Sequence, residues 1–357
     1  MKKSIIVAVL VLLLTACSGI SGSLGSGRPI EVTDATGHTA LLDGVPERIA
    51  VVGKATIMIQ DTVFMFEEAQ ARVIALENRN QSAISFLPLI DDGFEEKEFL
   101  EKNIGPEQIA AVRPELVIMK NFMAEQLGEP LELIEIPVIY LDLETPEVFY
   151  EDVLTLGQVF DAGKRADEII TYYQDRVIQV ENLVAGADST PGVLILQHSD
   201  LDGEIAFKVP PVSWLQTRIV EMSGGDPIWK GVEAGEGWTV INLEQIAAWD
   251  PEQIFIIDYS GNADQVVKEL QNNEIWASLT AVQNGQLFAF AFDIYSWDQP
   301  DTRWILGLQW LATKIHPDLT GEIDILEEVN SFYTFLYRMD EESIARDIIP
   351  NLKGDLP

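Results

Sequence analysis

Residues 107–119 read EQIAAVRPELVIM, and residues 244–257 read EQIAAWDPEQIFII. In both, Glu-Gln-Ile-Ala-Ala is followed by two residues, then Pro-Glu, then an apolar run. Physically each is a short helix stopped by its proline (Pro114, Pro251) and continued as a buried strand. A five-residue match alone arises by chance. The match together with its Pro-Glu and its strand marks two units of related design.

Between the two units, residues 164–185 carry Ala166, Ile169, Ile170, Tyr173, Val177, Val180 and Val184 at steps of three and four, uninterrupted by Gly or Pro. That spacing predicts one amphipathic helix, roughly 33 Å long at 1.5 Å per residue. It ends at Gly186 and the turn-rich loop that follows. Around it, short apolar runs alternate with helical patterns. Strands are expected at 49–52, 73–76, 136–140, 192–197 and 287–290. Helices are expected at 56–69, 94–103, 146–160, 212–223, 266–270 and 304–315, with two more within 322–353. Residues 29–42 read as a hairpin turning at 35–38. The alternation predicts an α/β fold of parallel sheets with helices on both faces.

At 357 residues the chain is too long for one ordinary core, and its 47% apolar content is ample for two. Lys2 and Lys3 precede an apolar run over 5–14, too short and wrongly flanked for a membrane span. The run ends in Leu14-Thr15-Ala16-Cys17, which resembles the bacterial lipobox, and Cys17 is the one cysteine of the chain. The reading is a lipoprotein signal peptide over 1–17, lipidation at Cys17 and a Gly/Ser tether over 18–28; a buried structural cysteine is the alternative. Disulfides have no part in the fold.

Formal charge is −35, and −37 once Lys2 and Lys3 leave with the leader. Such a surface repels nucleic acid and makes any free anionic ligand depend on a local cluster of positive charge. No H-E-x-x-H, G-x-S-x-G, P-loop or G-x-G-x-x-G pattern occurs. These absences argue against an enzyme, and the chain is expected to be a monomer with no cofactor and no metal site of its own.

Ligands of α/β sheets lie at the carboxyl ends of strands. This singles out residues 53–56, 120–122 and 197–199. Lys54 and Lys120 would bring positive charge and Thr56 a hydroxyl, although both lysines also read as solvated loop residues. His198 follows a buried strand and suits a metal or an anion, or is a satisfied loop histidine. Trp238 and Trp297 lie in loops, where stacking on a macrocycle or catecholate and simple core packing are both open. Trp249, Trp304 and Trp310 sit in helical contexts and read as core.

VTDATGHTALL (32–42), GVPERIAVVG (44–53), IGPEQIAAVRPELVI (104–118), WTVINLEQIAAWDPEQIFII (238–257) and YSWDQPDTRWILGLQWLATKIHP (295–317) together resemble the long-helix class of ABC-transporter substrate-binding lipoproteins. The last of these is closer to the iron- or metal-complex branch. The resemblance implies two Rossmann-like lobes with parallel-rich sheets (29–160 and 191–357) joined by a single long α-helix (161–190), with ligand in the cleft between them. It implies an iron complex, siderophore or haem-like, as ligand, with molybdate or tungstate and cobalamin as alternatives and an extracytoplasmic enzyme as a more distant one. It assigns Glu107 and Glu244 to docking on arginines of the permease dimer, the dimer working with its ATPase, although both also read as helix-start acids favoured by the macrodipole. Arg303 resembles the class's arginine opening the last helix, which Asp298 would otherwise neutralise.

Overall fold

The computed structural model describes residues 29–78, 84–201, 204–232, 235 and 237–356; the leader, Cys17 and the tether lie outside them. The chain opens on an antiparallel hairpin, β1 (Ile30–Thr33) and β2 (Thr39–Leu42). One carboxylate oxygen of Asp34 accepts the Thr36 and His38 amides and closes the turn; the other accepts the Tyr140 amide and docks the hairpin on the first sheet.

The first lobe then runs β3 (Ile49–Val51), α1 (Thr56–Val63), α2 (Glu68–Arg72), β4 (Val73–Glu77), β5 (Glu98–Leu100), α3 (Pro106–Ala111), β6 (Leu116–Lys120), α4 (Glu129–Glu132), β7 (Val138–Leu141) and α5 (Pro146–Val159). Its five strands are all parallel, in the order β5-β4-β3-β6-β7. After α6 (Gly163–Val184) the second lobe runs β8 (Gly192–Leu201), β9 (Glu204–Val209), α7 (Leu215–Met222), β10 (Asp226–Pro227), β11 (Thr239–Ile241) and α8 (Leu243–Trp249). It continues with β12 (Gln253–Ile257), α9 (Ala263–Gln271), α10 (Thr280–Gln283), β13 (Leu287–Ala289), α11 (Trp304–Ile315) and α12 (Ile325–Tyr337). Here β8, β12 and β13 are parallel, while β9 and β11 extend the sheet in antiparallel fashion.

The sequence repeat is a structural repeat. In the first lobe α3 leads into β6, between β3 and β7; in the second α8 leads into β12, between β8 and β13. Every residue of both strands is buried, as parallel strands covered on both faces must be. The residue before each proline leaves the right-handed helix for the left-handed region, Arg113 at φ 53° and Asp250 at φ 46°. Proline disfavours the right-handed conformation at that position, so both helices stop there.

Ala166, Ile169, Tyr172, Tyr173 and Val180 of α6 are buried, against α5 on one side and α11 and α7 on the other. Val177 and Val184 are only half-buried, because the contact stripe shifts to Tyr172. The C-terminal helix adds a second tie between the lobes. Arg338 donates to the carbonyls of Phe64 and Met65, and the Tyr337 hydroxyl to that of Asp61. One apolar core consequently runs through residues of both lobes.

Two expected helices differ. Residues 94–103 form a single 3-10 turn (Phe94–Glu96) followed by edge strand β5. Lys97 turns inward there, its ammonium on the Gln70 and Val73 carbonyls and on Asp91, which an exposed acidic helix would not allow. The helix expected over 56–69 breaks after Val63 and restarts at Glu68.

Candidate functional site

A cleft of about 390 Å³ opens between the lobes at the carboxyl ends of their strands. The first lobe contributes Ala55 and Met58 after β3, Lys120 and Phe122 at the end of β6, and Glu144 after β7. From the second come Trp214 and Gln216 at the start of α7, Trp238 before β11, and Tyr259 and Ser260 after β12. Phe292, Tyr295, Gln299 and Pro300 line the floor from the loop between β13 and α11.

The local sequence explains these placements. Gly53 turns at φ 101° and Ala55 at φ 54°, conformations glycine adopts freely, and the Gly53 amide donates to buried Glu77 at 2.6 Å. That turn aims the start of α1 at the cleft. On the opposite wall Trp214, Trp238 and Tyr259 form a continuous edge-to-face row, with centroids 6.0 and 6.3 Å apart. The Tyr259 hydroxyl (2.9 Å) and the Gln216 amide (3.1 Å) both donate to buried Asp298, which fixes the row from behind. Burial, and next the Asp298 carboxylate, hold the Tyr259 phenol well above its ordinary pKa. Burial, followed by Asp61, does the same at Tyr295. Both phenols therefore stay protonated. They can donate hydrogen bonds or stack, but do not offer phenolate oxygens.

Among the described residues Lys120 is the only cation in the lining, and it is 1% exposed. Its ammonium pairs with Glu144 at 2.8 Å and donates to the Asp142 carbonyl. Its charge is spent within its own lobe.

Of the residues expected at the ligand, Lys120 and Trp238 line the cleft. Lys54 is exposed beside Ala55, outside the lining. Thr56 is buried in the first turn of α1, away from the lining. His198 is bound to Asp258 at 2.8 Å and packs on Phe207; it too lies off the cleft. Trp297 and Arg303 require correction. Trp297 is fully buried, its backbone carbonyl so close to Gly307 of α11 that a Cβ there would come within 2.3 Å. Arg303 is fully buried beneath the floor, paired with Asp61 and with Asp293 at 2.9 Å, and 3.7 Å from Asp301. Those carboxylates, not Asp298, neutralise it. Trp304 and Trp310 are core, and Trp249 is half-buried against it. Glu107 and Glu244 are exposed in the first turns of α3 and α8.

The repeat itself held a signal for one missed residue. Glu107 and Glu244 stand 137 positions apart, and so do Phe122 and Tyr259. One aromatic per lobe thus sits at the same repeat position and faces the same cleft.

Residues 95–293 match the periplasmic binding protein family, and residues 1–18, with Cys17 among them, match the prokaryotic membrane lipoprotein lipid attachment site. The protein is therefore extracytoplasmic and membrane-anchored. Among curated relatives, the iron-uptake system-binding protein of Bacillus subtilis is 24% identical over 82% of this chain and 92% of its own. The molybdate-binding protein MolA of Haemophilus influenzae is 22% identical over 66% of this chain and 70% of its own. Among solved structures, a periplasmic solute binding protein from Veillonella parvula superposes with a TM-score of 0.72 at 21% identity, covering 90% of this chain and 97% of its own. With more than half of its length inside the family match, the chain belongs to the periplasmic binding protein family.

Proposed function

We propose that the protein is the receptor of an ABC importer, capturing a metal chelate, an iron(III) complex before any other, in the inter-lobe cleft and delivering it to the permease. The lining carries this reading: among the described residues, six aromatic side chains from both lobes stand around some 390 Å³, with no unspent cation beside them. Broad apolar walls with a few placed polar groups suit a bulky organic periphery. A tetrahedral oxyanion such as molybdate is small and fully charged, and would need unspent donors or cations close around it. Here the lysine, the Tyr259 hydroxyl and the Gln216 amide are already engaged, and the donors left over, on Tyr295, Ser260 and Gln299, are uncharged.

Glu107 and Glu244, one per lobe at equivalent positions, are the docking acids of this reading, each offering a carboxylate for a bidentate arginine contact. Capture would proceed with small hinge motion, since α6 is a continuous helix and α12 ties the lobes a second time. A thermal-shift panel of ferric trihydroxamate, ferric citrate, haem, cobalamin, molybdate and tungstate tests the proposal. At a hundredfold above the dissociation constant the bound form gains ~2.7 kcal/mol. A rise in melting temperature with an iron chelate is the expected result. A rise with the oxyanions alone, or with none of the panel, would refute it.

A further inference from the structure

Among the described residues, the charges around the cleft do not favour anionic chelates. Lys120 is cancelled by Glu144 at 2.8 Å, on a turn that also carries the Asp142 carboxylate, bonded to Asn121. Beneath the floor, the Arg303 cation is offset by Asp61 and Asp293, with Asp301, whose carboxyl pKa is pushed up by burial to about 8, beside them, and its guanidinium lies over the Tyr295 ring, 5.0 Å away. Asp298 backs the opposite wall. Two further lysines come near without entering: Lys54 is exposed beyond Ala55, and Lys353 sits behind the Phe292 ring on the Gly261 carbonyl. The whole-chain charge of −35 adds a negative background. Aromatic faces, which dominate the walls, attract cations.

We infer that the cleft selects metal chelates whose complex is neutral or cationic, and that Glu144, by cancelling Lys120, is the residue that sets this preference. The inference rests on the receptor reading above. It also states how the metal is held. Among the described residues no three His, Cys, Asp or Glu side chains are placed to bind a metal ion, and the lining holds no His or Cys. On this inference the chelator fills most of the metal's coordination sphere, and the cleft reads the organic periphery.

The test is a tryptophan-fluorescence titration of the intact protein, since Trp214 and Trp238 line the cleft. The ligands are the ferric complex of a trihydroxamate bearing a free ammonium, which is cationic, and a ferric tris-catecholate, which carries three negative charges. The wild type binds the trihydroxamate at least about tenfold more tightly, the scale expected for several like charges in a poorly screened cleft. Glu144→Gln frees Lys120 and narrows that ratio by about tenfold, mainly through a gain for the tris-catecholate. A wild type that prefers the trianion, or a ratio unmoved by Glu144→Gln, overturns the charge inference alone. Failure to bind any chelate, of either charge, removes the receptor reading and this inference with it.

Discussion

Asp152 offers a direct physical test of how the cleft wall is held. It lies buried on α5, and one carboxylate oxygen accepts the backbone amides of Asp142 (2.9 Å) and Leu143 (2.8 Å), while the other has no partner among the described residues. Those amides belong to the turn that presents Glu144 to the cleft and the Asp142 carbonyl to Lys120, and Leu143 holds a left-handed φ of 62° within it. Burial pushes the Asp152 pKa up to about 7, against the opposing pull of the two amides and Lys120. In the unfolded chain the group returns to about 3.8.

The folded protein thus keeps a proton that the unfolded chain releases. Stability is greatest below about pH 4 in this respect and falls as pH rises through the window to about 7. At ~1.36 kcal/mol per pKa unit, a shift of about three units amounts to about 4 kcal/mol across that window. Asp152→Asn fixes the neutral form while its amide oxygen still accepts both backbone N–H groups. Asp61 and Asp301 are also pushed up by burial, but they contribute the same slope to both proteins. Urea unfolding from about pH 4 to pH 9 is the assay, read as the difference between wild type and variant. The variant should be no more stable at the acid end and more stable above pH 7, with the two curves crossing between. Parallel curves would refute the reasoning.

Arg303→Met leaves Asp61 and Asp293 buried without their cation, and breaking a buried pair from one side costs about 3–5 kcal/mol; a loss under about 1 kcal/mol in urea unfolding would show that the cluster does not hold the lobes. Glu107→Ala combined with Glu244→Ala should abolish uptake into cells while chelate affinity in solution stays unchanged. A fall in affinity, or uptake that persists, would sink the docking assignment.

What was legible in the sequence follows from the range of the signal. The paired α3–β6 and α8–β12 units and the helix α6 are written in local periodicity and proline stops, and they appear where the pattern puts them. The cleft lining is written in long-range geometry. Trp238 and Trp297 looked alike as loop tryptophans, yet one faces the cleft and the other is sealed against Gly307. Arg303 opens α11 as expected, but its partner Asp61 lies 242 residues earlier, and no local pattern links them. Lys120 was identifiable as a cleft cation; its neutralisation by Glu144, on the next strand's loop, was not. Burial partners across strands decide such cases, and periodicity carries no record of them.

The buried cluster at Arg303 also bears on how a receptor of this build works. Asp61 comes from α1 of the first lobe and Arg303 from the start of α11 in the second, with Tyr337 of the tail helix on the Asp61 carbonyl. A charge pair sealed from water separates only at a high desolvation cost, so the lobes cannot part along this seam without exposing or stranding its charges. The cleft floor, Tyr295, rests directly on that seam at 5.0 Å from the guanidinium. On the proposed reading, ligand would rest against the part of the cleft most firmly tied between the lobes. Beyond the small hinge motion proposed above, adjustment on capture would fall to the rim, where Phe122 is 57% exposed and the Glu144 side chain 28%. On the receptor reading proposed above, selection would fall to the chemistry of the rim and walls more than to closure of the lobes, which would give a single carboxylate at Glu144 the leverage inferred for it.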